Sequence, residues 1–101
     1  MDWDYFFRQL EAGANINETC FYFEDDPDKN DHYLGYLPQY EKPYWVGYCD
    51  IKDGCEFESA TELVDAPIFD GRTLRERWNN VVICNIEGVC LDDWFTCFEH
   101  A

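Results

Sequence analysis

Positive charge is scarce in this chain: 101 residues hold 7 lysines and arginines against 22 aspartates and glutamates, a net charge of −15. Such a field repels nucleic acid and anionic membranes, so direct contact with either is not expected. Histidine is scarcer still. His32 follows an acidic stretch, His100 lies one residue from the last position, and neither has a partner motif for nucleophilic catalysis. No glycine-rich phosphate loop is present, and no apolar run reaches the ~18 residues of a membrane-spanning helix. The start, Met1-Asp2-Trp3-Asp4, lacks the basic lead and apolar core of a secretory signal, so a cytoplasmic location in the host cell is expected.

What the chain has in abundance is aromatic: 8 Phe, 7 Tyr and 4 Trp, within a hydrophobic content of 47%. A chain this charged would stay disordered without enough apolar surface to offset the ordering entropy, and these residues supply it. The length suits one domain, 1–101, with none to spare for a second. Six cysteines (Cys20, Cys49, Cys55, Cys84, Cys90, Cys97) would suggest disulfides in an exported chain, but in a reducing cytosol they read as buried thiols. The intervals within Cys49–Cys55, Cys84–Cys90 and Cys90–Cys97 miss the short ligand spacing of zinc sites, so no metal and no cofactor are expected.

Local patterning predicts an α+β fold. Trp3, Phe6, Phe7 and Leu10 share one helical face, opened by Asp2 and Asp4 and closed by Gly13. Strands are expected over 18–24, 32–37, 44–50 and 55–58, with Tyr44, Val46 and Tyr48 on one side of the third, and with a turn at Asp53-Gly54. Ser59/Glu62 and Thr73/Glu76 have capping-box spacing and predict two short helices, the first stopped by Pro67. Val81–Ile86 predicts another strand, Glu87-Gly88 a turn, and Leu91, Trp94, Phe95 and Phe98 a final helix from near Asp92. The expected architecture is a small, mostly antiparallel sheet of three to five strands packed against N- and C-terminal amphipathic helices. Trp45 and Trp94 are expected in the core.

The acids are unevenly placed: residues 1–71 carry −13 of the −15. Asp26, Asp28 and Asn30 match the first ligand positions of a calcium loop, but Asp31 and Leu37 replace its required glycine and glutamate, so a polar hairpin loop is the better reading. Arg72, Arg75 and Arg77 form a short basic patch without interleaved aromatics, expected to pair with nearby acids. Paired carboxylates such as Asp92 and Asp93 are expected by chance at this density.

Alternate residues of an extended segment lie about 6.6 Å apart on one side, so acids at such spacing form anionic rows. Arginine and lysine arrays that grip nucleic-acid backbones cannot readily distinguish such rows from phosphates. The candidate partner-binding residues are therefore Glu24, Asp25, Asp26, Asp28 and Asp31 in the first acidic segment, and Asp50, Asp53, Glu56, Glu58, Glu62 and Asp65 in the second. An edge strand defended against aggregation would carry the same alternation.

The segment Pro43-Tyr44-Trp45-Val46-Gly47-Tyr48-Cys49-Asp50, followed by Pro67-Ile68-Phe69-Asp70-Gly71 with Leu74 and Trp78, resembles small acidic proteins of bacterial mobile elements. The resemblance covers roughly residues 32–98 and rests on aromatics, turn glycines and caps, so it implies no catalytic residue. In kind, the chain is similar to phage anti-restriction and anti-CRISPR inhibitors. That likeness implies a non-enzymatic inhibitor, a nucleic-acid mimic whose partner is a basic nucleic-acid-binding protein of bacterial defence, such as a CRISPR effector nuclease. The alternatives are an immunity protein for a basic nuclease toxin, an adaptor using exposed aromatics, and a metal-dependent hydrolase using the acidic loop with His32.

Overall fold

Asp2 caps the first helix, α1 (Trp3–Ala12), by accepting the Tyr5 N–H at 3.2 Å, and Gly13 ends it at φ 67°, donating to Gln9 and Leu10 carbonyls. Both signals are legible in sequence and both operate as their chemistry requires. Helix α1 buries Phe6 and Leu10 and leans Trp3 and Phe7 on the rim of the core, with Trp78 5.2 Å from Trp3 and 4.6 Å from Phe6 between ring centroids. The computed structural model describes residues 1–13 and 16–90. The expected final helix, with Trp94, Cys97 and His100, lies outside the described residues.

Six strands build one antiparallel sheet: β1 (Thr19–Phe23), β2 (His32–Tyr36), β3 (Tyr44–Gly47), β4 (Cys55–Phe57), β5 (Val81–Ile86) and β6 (Val89–Cys90). Their spatial order is β4-β3-β2-β1-β5-β6. The expected three to five strands fall short because β6 has two residues, too few to leave a periodic pattern. The first four strands form a meander; the chain then crosses through α2 (Ala60–Asp65), α3 (Leu74–Arg77) and a 3-10 turn (Trp78–Asn80) to reach β5 beside β1. Helices from the middle of the chain thus join α1 on the core, where two terminal helices were expected.

The core is one cluster. Phe6 and Leu10 of α1, Leu63 and Val64 of α2, and Leu74 of α3 meet Phe21, Phe23, Leu34, Tyr44, Val46, Ile83 and Ile86 of the sheet. Ile83 and Ile86 share the core face although three residues apart, because a bulge between β1 and β5 shifts the register beside Cys20 and Phe21. Tyr44 is buried with its hydroxyl donating to the Glu11 carbonyl at 2.8 Å, satisfying an orphan acceptor at the end of α1. Trp45 is half-buried rather than a core residue and lies across its cross-strand partner Gly35, where a Cβ would come within 2.6 Å of its indole nitrogen.

Glu87-Gly88 has positive φ at both central positions of a two-residue hairpin (53° and 83°), the conformation tight hairpins need, whereas Asp53-Gly54 (69° and 84°) closes the longer connection between β3 and β4, with the Gly54 N–H donating to the Ile51 carbonyl. A third such turn, Asp70-Gly71 (57° and 74°), closes a small hairpin through paired hydrogen bonds between Phe69 and Arg72 that local patterning had not predicted.

Leu63→Ala should cost about 2–5 kcal/mol, because the side chain is fully enclosed. Gly54→Ala should cost more than about 1 kcal/mol, since its Cβ would meet the Val46 carbonyl oxygen at 2.4 Å with φ held at 84°. Urea denaturation of the two variants beside the parent checks both.

Candidate functional site: an acidic cleft at one end of the sheet

In an antiparallel meander the first and third connections lie at the same end of the sheet. Here these are the β1–β2 loop (24–31) and the β3–β4 loop (48–54), and both are rich in acids. The Phe69–Arg72 hairpin is drawn to that end because the Asp50 amide donates to the Ile68 carbonyl at 2.9 Å. A cleft of about 650 Å³ opens between these segments, lined by Asp26, Asp28, Asp31, Asp50 and Asp70, with His32, Tyr48 and Arg77. The fold therefore joins part of the two acidic tracts that sequence kept apart, and adds Asp70, which had not been singled out.

Arg77 is the cation at the base of this arrangement. It is 5% exposed, with its guanidinium 3.7 Å from the Phe23 ring centroid. One terminal nitrogen donates to Asp25 at 2.8 Å; the other reaches the Phe69 carbonyl at 3.4 Å and Asp70 at 3.5 Å. The expected surface patch of three arginines is thus divided. Arg75 does pair with Asp65 at 2.8 Å, and its guanidinium lies 5.2 Å from the Trp3 ring. Arg77 is an interior residue, recruited by the acids that face it.

Several of the expected partner-binding carboxylates hold the protein's own backbone. Asp50 accepts from the Asp70 N–H at 3.0 Å and the Gly71 N–H at 2.9 Å, because two successive left-handed residues turn their amides to one side. Asp26 accepts from Asp28 N–H at 3.0 Å and Asn30 N–H at 3.1 Å, as befits a polar hairpin loop. Glu62 reaches back to the Glu58 amide at 3.2 Å as part of the α2 cap. With Asp25 and Asp65 in ion pairs, Glu24, Asp28, Asp31, Asp53, Glu56 and Glu58 are left without a hydrogen-bonded or ion-paired side chain among the described residues. Glu56 and Asp53 border a second cleft of about 740 Å³ along the edge strand β4, with Trp45, whose buried indole N–H has no partner among the described residues. Glu58 and Glu62 follow β4 away from the acidic end.

His32 is held by packing. Its ring lies among Phe21, Phe23 and Phe69, with centroids 5.4, 5.2 and 5.2 Å away, and its Nδ1 donates to the Tyr48 carbonyl. Tyr48 departs from its expected strand face. Strand β3 ends at Gly47, Tyr48 turns to φ 58°, and its side chain is 73% exposed at the cleft mouth, near the exposed Ile51. Alternation assigned Tyr48 to the same side as Tyr44 and Val46; the early end of pairing is what frees it.

The thiols are less buried than expected. Cys20 is enclosed, Cys49, Cys55 and Cys84 are half-buried, and Cys90 is exposed. The Cys49 and Cys55 sulfurs lie 4.0 Å apart across the β3–β4 loop, and burial, then Cys49, pushes the Cys55 thiol up to about 12. No helix among the described residues is long and apolar enough to cross a membrane. No family model, curated protein or solved structure matches the chain.

The amides of Asp28, then Asn30, hold the Asp26 carboxyl below the usual carboxylate range, with the charges of His32 and Arg77 assisting more weakly. A folded-state pKa below the unfolded one contributes stability above the ordinary value, and that contribution disappears as pH falls through the folded pKa. The Asp28 and Asn30 amide NMR shifts should therefore titrate together with a midpoint below about 3.9, and lose that step in Asp26→Asn. Asp50→Asn should lower stability by about 1–2 kcal/mol, because an amide replaces one of the two acceptors holding the Asp70-Gly71 turn. Asp53→Asn should stay within about 0.5 kcal/mol of the parent, and thermal melts distinguish the two.

Proposed function

We propose that this protein is a non-enzymatic acidic inhibitor that occupies the nucleic-acid-binding surface of a basic bacterial defence protein in the cytosol, a CRISPR effector nuclease being the class that fits best. The observation that carries the reading is the acidic end of the sheet, where two hairpin loops and a turn gather carboxylates from distant parts of the chain around one cleft. A surface built to bind phosphates presents arginines and lysines in a groove, and it meets in this protein a compact anion of the opposite sign.

Unengaged carboxylates matter most for such a partner. Those already bound to backbone or arginine have part of their capacity satisfied, whereas Glu24, Asp28, Asp31, Asp53, Glu56 and Glu58 keep theirs for an incoming cation. Asp50 is not among them, since its neutralisation loosens the cleft itself. Tyr48 adds an exposed aromatic beside the charge, a side-chain type that anchors many interfaces and stacks on arginine. These features favour docking over chemistry: the ring nitrogen Nδ1 of His32 is committed to a carbonyl, and the Asp26 oxygens to amides.

Capture from a bacterial extract followed by mass spectrometry should enrich a basic nucleic-acid enzyme. With that partner in hand, the protein should displace DNA or guide RNA, and added salt should slow its association, because attraction between separated charges is screened beyond about 8 Å at physiological ionic strength. The combined variant Glu24→Gln, Asp28→Asn, Asp53→Asn, Glu56→Gln, Glu58→Gln should melt like the parent and associate about tenfold more slowly or worse. A variant that competes as well as the parent removes the electrostatic reading. If Tyr48→Ala alone abolishes binding, and salt has no effect, the protein is an adaptor that docks through aromatics.

A further inference from the structure

Sequence spacing gave no reason to expect a metal site, because that argument considers ligands close together in the chain. The sheet supplies a different route. Cys20 on β1 and Cys84 on β5 are far apart in sequence but lie on neighbouring antiparallel strands. Cys20 is opposite Asn85 and Phe21 is opposite Ile83, so Cys84 is the extra residue of the bulge. That extra residue is turned toward Cys20 on the sheet face away from Ile83 and Ile86, as bulges commonly re-aim a side chain. From the other side of β1, Tyr33 is paired with Cys20, and Asp31, two residues earlier, reaches the same place.

The Cys20 sulfur, the Cys84 sulfur and an Asp31 carboxylate oxygen all lie within 4.8 Å of one another. Two sulfurs bound to one tetrahedral zinc at about 2.3 Å are about 3.8 Å apart, so side-chain rotation alone closes the remaining gap. Asp31 has no ion pair or hydrogen-bonded side chain among the described residues, and the Cys84 thiol faces both Cys20 and Asp31, with Tyr33 on the other side of Cys20. From this convergence we infer that Cys20, Cys84 and Asp31 form a binding site for a zinc-class divalent cation.

Binding forms two metal–sulfur bonds and one metal–oxygen bond. Each thiol gives up its proton to solvent, so two protons leave for every ion bound, and affinity falls as pH drops. Burial first, and then Cys20 and Asp31, pushes the Cys84 thiol up to about 11, so that thiol keeps its proton until an ion displaces it. A divalent ion reverses that balance by compensating the thiolates and the carboxylate together. Three protein donors leave a fourth tetrahedral position for water or a small exogenous ligand. Asp31 belongs also to the acidic cleft, but Cys20 and Cys84 do not line it, so the sulfur-to-metal band reads the metal site apart from the inhibitor reading.

The full chain, kept reduced and freed of metal by a chelator, is titrated with cobalt(II). One equivalent should produce thiolate-to-metal charge-transfer absorption with tetrahedral ligand-field bands, both reversed by zinc(II), and zinc should raise the melting temperature. Loss of even an outer-shell group near a metal costs about 10–100-fold in affinity, so Cys84→Ser and Asp31→Asn should weaken binding at least tenfold. Asp31→Asn should keep the sulfur band at saturating cobalt, and the Cys49→Ser, Cys55→Ser double variant should bind like the parent. Because Cys20 is enclosed and Cys20→Ser can unfold the chain, the Cys84 and Asp31 variants decide the matter. No charge-transfer band at any cobalt concentration overturns the inference, as does a band of parental intensity and parental affinity in Cys84→Ser, or one that vanishes in the Cys49/Cys55 variant.

Discussion

The arrangement of the acidic end depends on one buried guanidinium. Removing an arginine from water costs several kcal/mol, and that cost is recovered only if its charge and N–H groups are met. Arg77 meets it with Asp25, Asp70 and the Phe69 carbonyl, and with the face of Phe23. These partners belong to the β1–β2 loop, the Phe69–Arg72 hairpin and β1, so the requirement of one side chain brings separate segments into register. The Nε of Arg77 has no hydrogen-bond partner among the described residues, so the guanidinium is held through its terminal nitrogens and by stacking.

Gathering so many carboxylates opposes folding through their mutual repulsion, and the structure offsets this in two ways. Some acids are turned inward to do local work: Asp50 grips two turn amides, Asp26 organises its own loop, and Glu62 completes a helix cap. Lys29, at φ 51°, folds back so that its ammonium donates to the Glu24 and Asp26 carbonyls, placing positive charge within the loop. What remains outward is the set the proposed function uses. Structural and recognition acids are thus neighbours in sequence with different tasks, which composition alone does not separate.

Elements with a strong local cause were legible. The α1 stripe and its caps, the Ser59 cap, the Thr73/Glu76 capping box, the two expected Asp/Glu-Gly turns and the β-branched β5 each carry a residue-level reason that tertiary structure did not override, although at α2 the Glu62 carboxylate takes the Glu58 amide and leaves that capping box half made. Properties set by pairing were not. Strand order, the bulge that brings Cys84 to Cys20, and the early end of β3 that exposes Tyr48 depend on register between distant segments. The burial of Arg77 was hidden for the same reason: its sequence neighbours suggest a basic surface patch, and only the return of Asp25 and Asp70 to its side gives it an interior place. The acidic tracts were recognised, but their division into working and free carboxylates required knowing where the backbone amides point.

Arg77 holds the acidic end in one geometry, and amide hydrogen exchange in Arg77→Lys measures that hold, since lysine keeps the charge but cannot bridge the same partners. Exchange should be faster at Asp70, Gly71 and the loop amides of Asp28 and Asn30, while β2 and β3 amides keep their protection. Unchanged protection at these loop and turn amides would contradict it.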